Sequence, residues 1–242
     1  MSLDEIQQKK QTIESRSRIR ELIFGIQDGL ISTVGLLAGV QGATEHNLVV
    51  IITGLTAMFS GAISMAAGSY LSSASQKEIF DREIADAEKL AEREPYLAAE
   101  GLLKALGEEG LNRQQSYQMV KLLIQQRNVF LRTFQEKVFG LGSAEINRPF
   151  QAAFIMGLSF IVGAVVPILP YIALSGVTAL YVSALLGAIT LFGVGAFKGV
   201  LAGQSAFWSG FKFFLIAISA VVAGYVIGLV VQYFFRGIVI PA

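Results

Sequence analysis

Five apolar stretches, each long enough to cross a bilayer, are separated by segments that hold nearly every charge in this chain. Crossing the hydrocarbon core takes an α-helix of about 20 mostly apolar residues. Leu22 to Ala43, Leu48 to Leu71, Phe150 to Leu174, Val177 to Phe197 and Phe213 to Phe235 meet that requirement. None carries the polar stripe expected of a helix on the surface of a soluble domain. Only 15% of the 242 residues are charged, against about 25% in soluble domains. The acidic residues concentrate before Leu22 and between Glu78 and Glu145. The chain therefore reads as an all-α, polytopic membrane protein with five transmembrane helices and a cytosolic three-helix insertion between helices two and three. Its expected segments are 1–21 (a cytosolic amphipathic stretch), 22–71 (helices one and two), 72–149 (the insertion) and 150–242 (helices three to five).

Loop charge sets the orientation. With a cytosolic N-terminus, the inner segments are 1–21, 72–149 and the turn flanked by Lys198 and Lys212, and they hold every Lys and Arg except Arg236. The outer turns, around Glu45-His46-Asn47 and Ser175-Gly176, hold none. That satisfies the positive-inside rule, and the reverse orientation would violate it. The polar N-terminus lacks a cleavable signal, which favours an integral, multi-pass protein of a prokaryotic inner membrane. The net charge of +1 says nothing about partners. Small residues recur along the spans: Gly54, Gly61 and Gly68 share a helix face, Ser60, Ser64 and Gly68 form a second row, and Gly193, Gly195, Gly199 and Gly203 lie on span four. Such rows let helix backbones approach closely in lipid.

The insertion begins as a continuation of span two, through SASQKEIFDREIADAEKLAERE, until Pro95 breaks the hydrogen-bond ladder. A short helix, Leu97 to Leu106, is expected to stop at Gly107 and Gly110. Asn112 is a suitable N-cap for a third helix from Arg113 to about Phe139. Tyr117, Val120, Leu123, Ile124, Phe130, Leu131 and Phe134 give that helix its apolar row. The unit is small, so support from a second subunit is expected.

Asp28 is the one ionisable side chain well inside a span. It lies six residues beyond Leu22, roughly 9 Å deep at 1.5 Å per residue. Intramembrane carboxylates are costly and mark ion or proton pathways by default. Capping of a neighbouring helix near the interface is the plainer alternative. Gly25 and Gly29 flank Asp28 and leave room for a close neighbour. Met65, on the returning second span, falls at nearly the same depth, with Met58 two turns further out on the same face. A carboxylate beside a thioether suits a borderline transition metal better than Mg²⁺ or Ca²⁺, although membrane methionines are commonly apolar filler.

Several motifs resemble the vacuolar iron transporter family: Asp28-Gly29-Leu30 with Gly35-Leu36-Leu37-Ala38-Gly39, then Gly61-Ala62-Ile63-Ser64-Met65 with Gly68-Ser69-Tyr70-Leu71, then Val166-Pro167-Ile168-Leu169-Pro170-Tyr171, and the turn from Gly199 to Gly210. The resemblance runs from Glu21 to about Leu229. It implies a homodimer in membrane lipid that moves Fe²⁺ or Mn²⁺ out of the cytosol in exchange for protons, along a path between the two copies. It places metal ligands at Asp28 and Met65. The family's glutamate eight residues before that methionine falls on Ala57. In the insertion, the family's metal-gathering glutamates fall on Ala87, Leu90, Ala98 and Gly101, and its third-helix glutamate falls near Val138, beside Glu136. Gln27, Ser64 and Met58 are possible auxiliary ligands, and Glu83, Asp86 and Glu136 are weaker ones in the insertion. The acidic residues there alternate with Lys and Arg, which also reads as a solvated, salt-bridged face.

Two functions follow from this ligand set. One is a metal exporter with a thinned site and no organic cofactor. The other is a transport-inactive relative whose segment 72–149 docks a protein partner. Enzyme chemistry has little behind it: there is no Cys, no HExxH, no Walker-type phosphate loop, and the single His46 sits in an outer turn. No basic stripe points to nucleic acid.

Overall fold

The computed structural model describes residues 3–44, 46–140 and 148–235. Arg236 and the stretch 141–147 therefore lie outside the described residues. Those described form eight α-helices and no strand: α1 Leu3–Ala43, α2 Asn47–Arg93, α3 Pro95–Glu108, α4 Arg113–Ile124, α5 Arg127–Val138, α6 Pro149–Ala173, α7 Gly176–Leu201 and α8 Ala206–Phe235. Five of them are long and apolar enough to cross a membrane, beginning at Ile19, Asn47, Pro149, Gly176 and Ala206. The chain divides into two compact units. One holds residues up to Tyr70 and from Phe150 onward, and the other is Leu71–Pro149.

The first unit is built on close helix crossings. Gly35 and Gly39 of α1 lie against Ala220 and Gly224 of α8, and Gly228 packs on the Gly39 carbonyl. Gly195 of α7 would place an added Cβ 2.7 Å from the Phe213 ring, and Gly199 would meet Ser209 at the same distance. Where lipid removes any hydrophobic drive between helices, this close packing is what holds them together. The Gly54–Gly61–Gly68 row divides: Gly54 meets Leu37 and Ile168, Gly61 meets Phe160, and Gly68 has nothing within 4 Å. Pro167 and Pro170 sit inside α6, where the Ser183 hydroxyl of α7 donates to the Pro167 carbonyl at 2.7 Å. Exposed Phe154, Tyr181, Ile189 and Val222 cover the outside of the bundle with apolar surface.

In the second unit, α2 continues through the polar stretch as expected and ends where Pro95 opens α3. Pro at the first helical position loses no bond, because that N–H has no partner inside the helix. Gly110, at φ +100°, turns the chain after α3, and the Leu111 N–H donates back to the Leu106 carbonyl at 3.2 Å. Asn112 then caps α4 in a reciprocal pair with Gln115, at 2.9 and 3.0 Å.

The expected third helix is in fact two. Gln126, at φ −120° and ψ 86°, interrupts it between α4 and α5. The reason is register: ten residues separate Val120 from Phe130, so a continuous helix would rotate Phe130 about 80° away from Val120. The break returns Phe130 and Phe134 to the core with Val120, Leu102 and Leu106. Tyr117 and Ile124, expected on the apolar row, are 60% and 54% exposed. Glu92 pairs with Arg127, and Lys137 Nζ donates to Glu109 at 2.7 Å.

Candidate functional site

Asp28 sits where α1 crosses α6. A Cβ on Gly25 would come within 2.7 Å of Ser159 Cβ and 2.8 Å of the Met156 carbonyl oxygen. A side chain on Gly29 would collide with the Phe160 carbonyl, and one on Gly163 with the carbonyl of Ile26. The two backbones therefore touch on either side of Asp28. On α2, Gly61 lies against the Phe160 ring, and Gly157 packs on Ala62 and Ala66 at 3.1 Å.

These contacts fix relative depth. Gly29 and Gly61 both meet Phe160, while Gly25 and Ala66 meet neighbouring residues Met156 and Gly157. Gly29 also meets Ala164 and Gly163 meets Ile26, so Asp28 lies beside the α6 turn from Phe160 to Ala164, while Met65, next to Ala66, lies beside Gly157, about one helical turn nearer the start of α6. Met65 is half-buried and packs against a cluster that includes Phe160, Ala164 and Leu37. Asp28 is half-buried too, next to exposed Phe24 and Ser32. The Ser32 hydroxyl donates to the Asp28 backbone carbonyl at 2.6 Å, which leaves the carboxylate to other partners.

The auxiliary residues separate. Met58 is 4% exposed inside the apolar cluster of Leu37, Val50, Phe160 and Ile168, where it fills space. Gln27 is one residue, and so about 100°, round the helix from Asp28. It shares the face of Val34, which packs on Gly187 of α7. Ser64 is exposed and Ala57 half-buried. Seven residues apart, they share a face of α2, beside open Gly68.

The insertion residues do not converge. Asp86 pairs with Lys89 at 3.2 Å and lies 3.9 Å from Arg82. Glu83 and Glu136 are exposed. Among the described residues, no three His, Asp or Glu side chains gather as a metal site. The positions that the resemblance gives to glutamates are apolar and inward: Ala87 and Ala98 are core residues, 2% and 1% exposed, Leu90 packs against that core, and Gly101 faces Phe134 and Val138 at 3.7 to 3.8 Å. Burial of carboxylates here would carry a heavy desolvation cost. Sequence reasoning missed Phe160, which links α1 to α2. The flanking glycines, Gly157 and Gly163, marked a place for close approach but not which ring would fill it.

A bundle of five helices long and apolar enough to cross a membrane defines the class as a multi-pass α-helical membrane protein. The family is shown by comparison: the model of the VIT family matches residues 19–229, and the chain belongs to that family. Over 216 residues it is 27% identical to vacuolar iron transporter 1 of Arabidopsis thaliana, covering 89% of this chain and 86% of the relative. It is 29% identical over 215 residues to vacuolar iron transporter 2 of Oryza sativa subsp. japonica, covering 88% and 87%. The vacuolar iron transporter of Plasmodium falciparum is 27% identical over 199 residues, covering 78% and 73%. These relatives are eukaryotic proteins named for the vacuole, and they lend no support to the expectation of a prokaryotic inner membrane.

Proposed function

We propose that this chain is a transporter that carries Fe²⁺ or Mn²⁺ out of the cytosol in exchange for protons, working as a homodimer with its path between the copies. The observation that supports this reading is that Asp28 and Met65 lie, about a turn apart in depth, on the two helices that pack against Phe160 of α6. Neither is sealed in the protomer core. A second copy would double the donors to two carboxylates and two thioethers, a mixed set suited to a borderline dication. Ser64, exposed on α2 beside Met65, adds a hydroxyl oxygen to this set. Asp28 binds either the dication or a proton, and this competition couples the two flows. The names of the relatives support iron as cargo.

The test is Fe²⁺ and Mn²⁺ uptake by proteoliposomes under an imposed pH gradient. Uptake driven by the gradient should be abolished by Asp28→Ala, with the dimer peak in size-exclusion chromatography unchanged. Equal uptake by the variant sinks the assignment of Asp28.

A second reading has its own observation, the apolar residues at Ala57, Ala87, Leu90, Ala98 and Gly101. It makes the chain a transport-silent scaffold whose segment 72–149 holds another protein. Absence of metal uptake by folded parent dimers, together with a stoichiometric co-purifying chain, selects it.

A further inference from the structure

The insertion contains an open cavity of about 1570 Å³, larger than the roughly 300–1,000 Å³ of ordinary small-molecule sites. Its lining comes from α3, α4, the end of α5 and Leu90 of α2, with apolar walls that include Leu103, Leu111, Val120 and Phe134. Leu90 and Gly101, two positions that the resemblance gives to metal-binding glutamates, belong to this lining. The charges around it have the wrong sign for a cation. Lys104, Arg113 and Lys121 outnumber Glu100, three to one, for a net of +2. None of these three cations has an ion-pair partner among the described residues. Arg113 and Lys121 lie eight residues apart on α4, about 12 Å along the axis, at the two ends of the cavity's α4 wall.

Ser116 supplies a second, independent observation. It lines the cavity, is 2% exposed, and its hydroxyl has no hydrogen-bond partner. A buried hydroxyl left unpaired costs free energy that a ligand oxygen can recover.

We propose that this cavity binds the anion of a free long-chain fatty acid, its alkyl chain along the apolar walls and its carboxylate among Lys104, Arg113 and Lys121. The apolar walls suit a hydrocarbon chain, the exposed cations at the rim suit an anion, and a fatty acid joins the two in one molecule. In this chain the insertion has exchanged metal-gathering carboxylates for an acyl site, and this assignment stands whether or not the membrane unit transports metal.

The experiment uses the full-length protein in lipid nanodiscs with a diazirine analogue of palmitate, photolysed and mapped by peptide mass spectrometry. Labelling of the membrane helices gives the internal background. The expected result is labelling of α3 and α4 above that background, displaced by palmitate and unaffected by the same concentration of cetyltrimethylammonium. The exposed pair Lys104→Glu and Lys121→Glu together should weaken labelling about tenfold, equivalent to ~1.4 kcal/mol, with the circular dichroism spectrum unchanged. Labelling confined to the membrane helices, equal displacement by the cation, or undiminished labelling of the double variant each overturns the proposal. A second copy seated in the groove would overturn it too. The chain has no Cys, so this outcome would show as complete cross-linking of Tyr117→Cys between copies by a short bis-maleimide, whether or not palmitate is present.

Discussion

Gly29 shows how little freedom the site leaves at single positions. A methyl there would collide with the Phe160 carbonyl, and backbone cannot rotate away as a flexible side chain can. Gly29→Ala should destabilise the protomer by about 1–3 kcal/mol, the usual range for overpacking, and should lower gradient-driven uptake because Asp28 moves with α1. Gly68→Ala is the matched control. Nothing lies within 4 Å of that position, so the variant should melt no lower than the parent in detergent and can gain up to about 1 kcal/mol in helix propensity. If the two variants melt alike, the close α1–α6 crossing is not what holds Asp28 in place. Asp28 was legible in the sequence because a carboxylate stands out in an apolar run, and so was the room made by Gly25 and Gly29. Phe160 was not, because one phenylalanine among seventeen gives no sign of which neighbour its ring will meet.

At the scale of elements, the sequence punctuates some boundaries and leaves others silent. Pro95, Gly110 and Asn112 act through backbone chemistry that needs no tertiary contact, so they placed the ends of α2 and α3 and the start of α4. The Gln125–Gln126 break has no glycine or proline to announce it. It arises because Phe130 must come back into register with Val120 in the core, a demand set by packing. The Asn112 capping box should contribute in proportion: Asn112→Ala should cost about 1 kcal/mol, read as faster hydrogen exchange across α4. The other link, Lys137 to Glu109, makes a pH prediction. The hydrogen bond to Glu109, ahead of its coulombic attraction, holds the Lys137 ammonium above its ordinary pKa of 10.5. A group whose pKa is raised by folding contributes fully below its unfolded value and loses that contribution as pH rises past the folded one. Hydrogen exchange in α5, corrected for intrinsic rate, should therefore show no Lys137-dependent change from about pH 6 to about pH 9. Relative to Lys137→Met, protection should fall only above 10.5. The effect should be small and reduced by salt, because the pair is exposed. A Lys137-dependent slope near neutral pH would point to another group.

For the whole molecule, the positions that the resemblance gives to carboxylates have different surroundings in the two compact units, and this difference separates the two proposed functions. In the membrane unit, Ala57 is half-buried on the α2 face of exposed Ser64, eight residues or about 12 Å from Met65. A longer acidic side chain there avoids the protomer core and would face the path that the homodimer reading puts between the copies, so Ala57→Glu should fold. Added ligand charge strengthens dication binding, and a tenfold fall in the half-saturating concentration for Fe²⁺ uptake, ~1.4 kcal/mol, is the expected size. In the insertion, Ala98 is 1% exposed among Leu102, Leu106 and Phe134. Ala98→Glu places an unpaired charge in that core at a cost of several kcal/mol. It should open Leu71–Pro149 to protease without making a metal site. The contrast between the variants is the informative measurement. If Ala57→Glu tightens uptake while Ala98→Glu only unfolds its unit, the membrane pathway is intact and thinned, and the insertion has an apolar core built for something other than metal. If Ala57→Glu leaves a silent parent silent, the pathway has lost more than one ligand and the scaffold reading takes precedence. If Ala98→Glu folds and binds Fe²⁺, the insertion has kept a metal-gathering geometry despite its apolar residues, and the reading of its core as closed to metal is wrong.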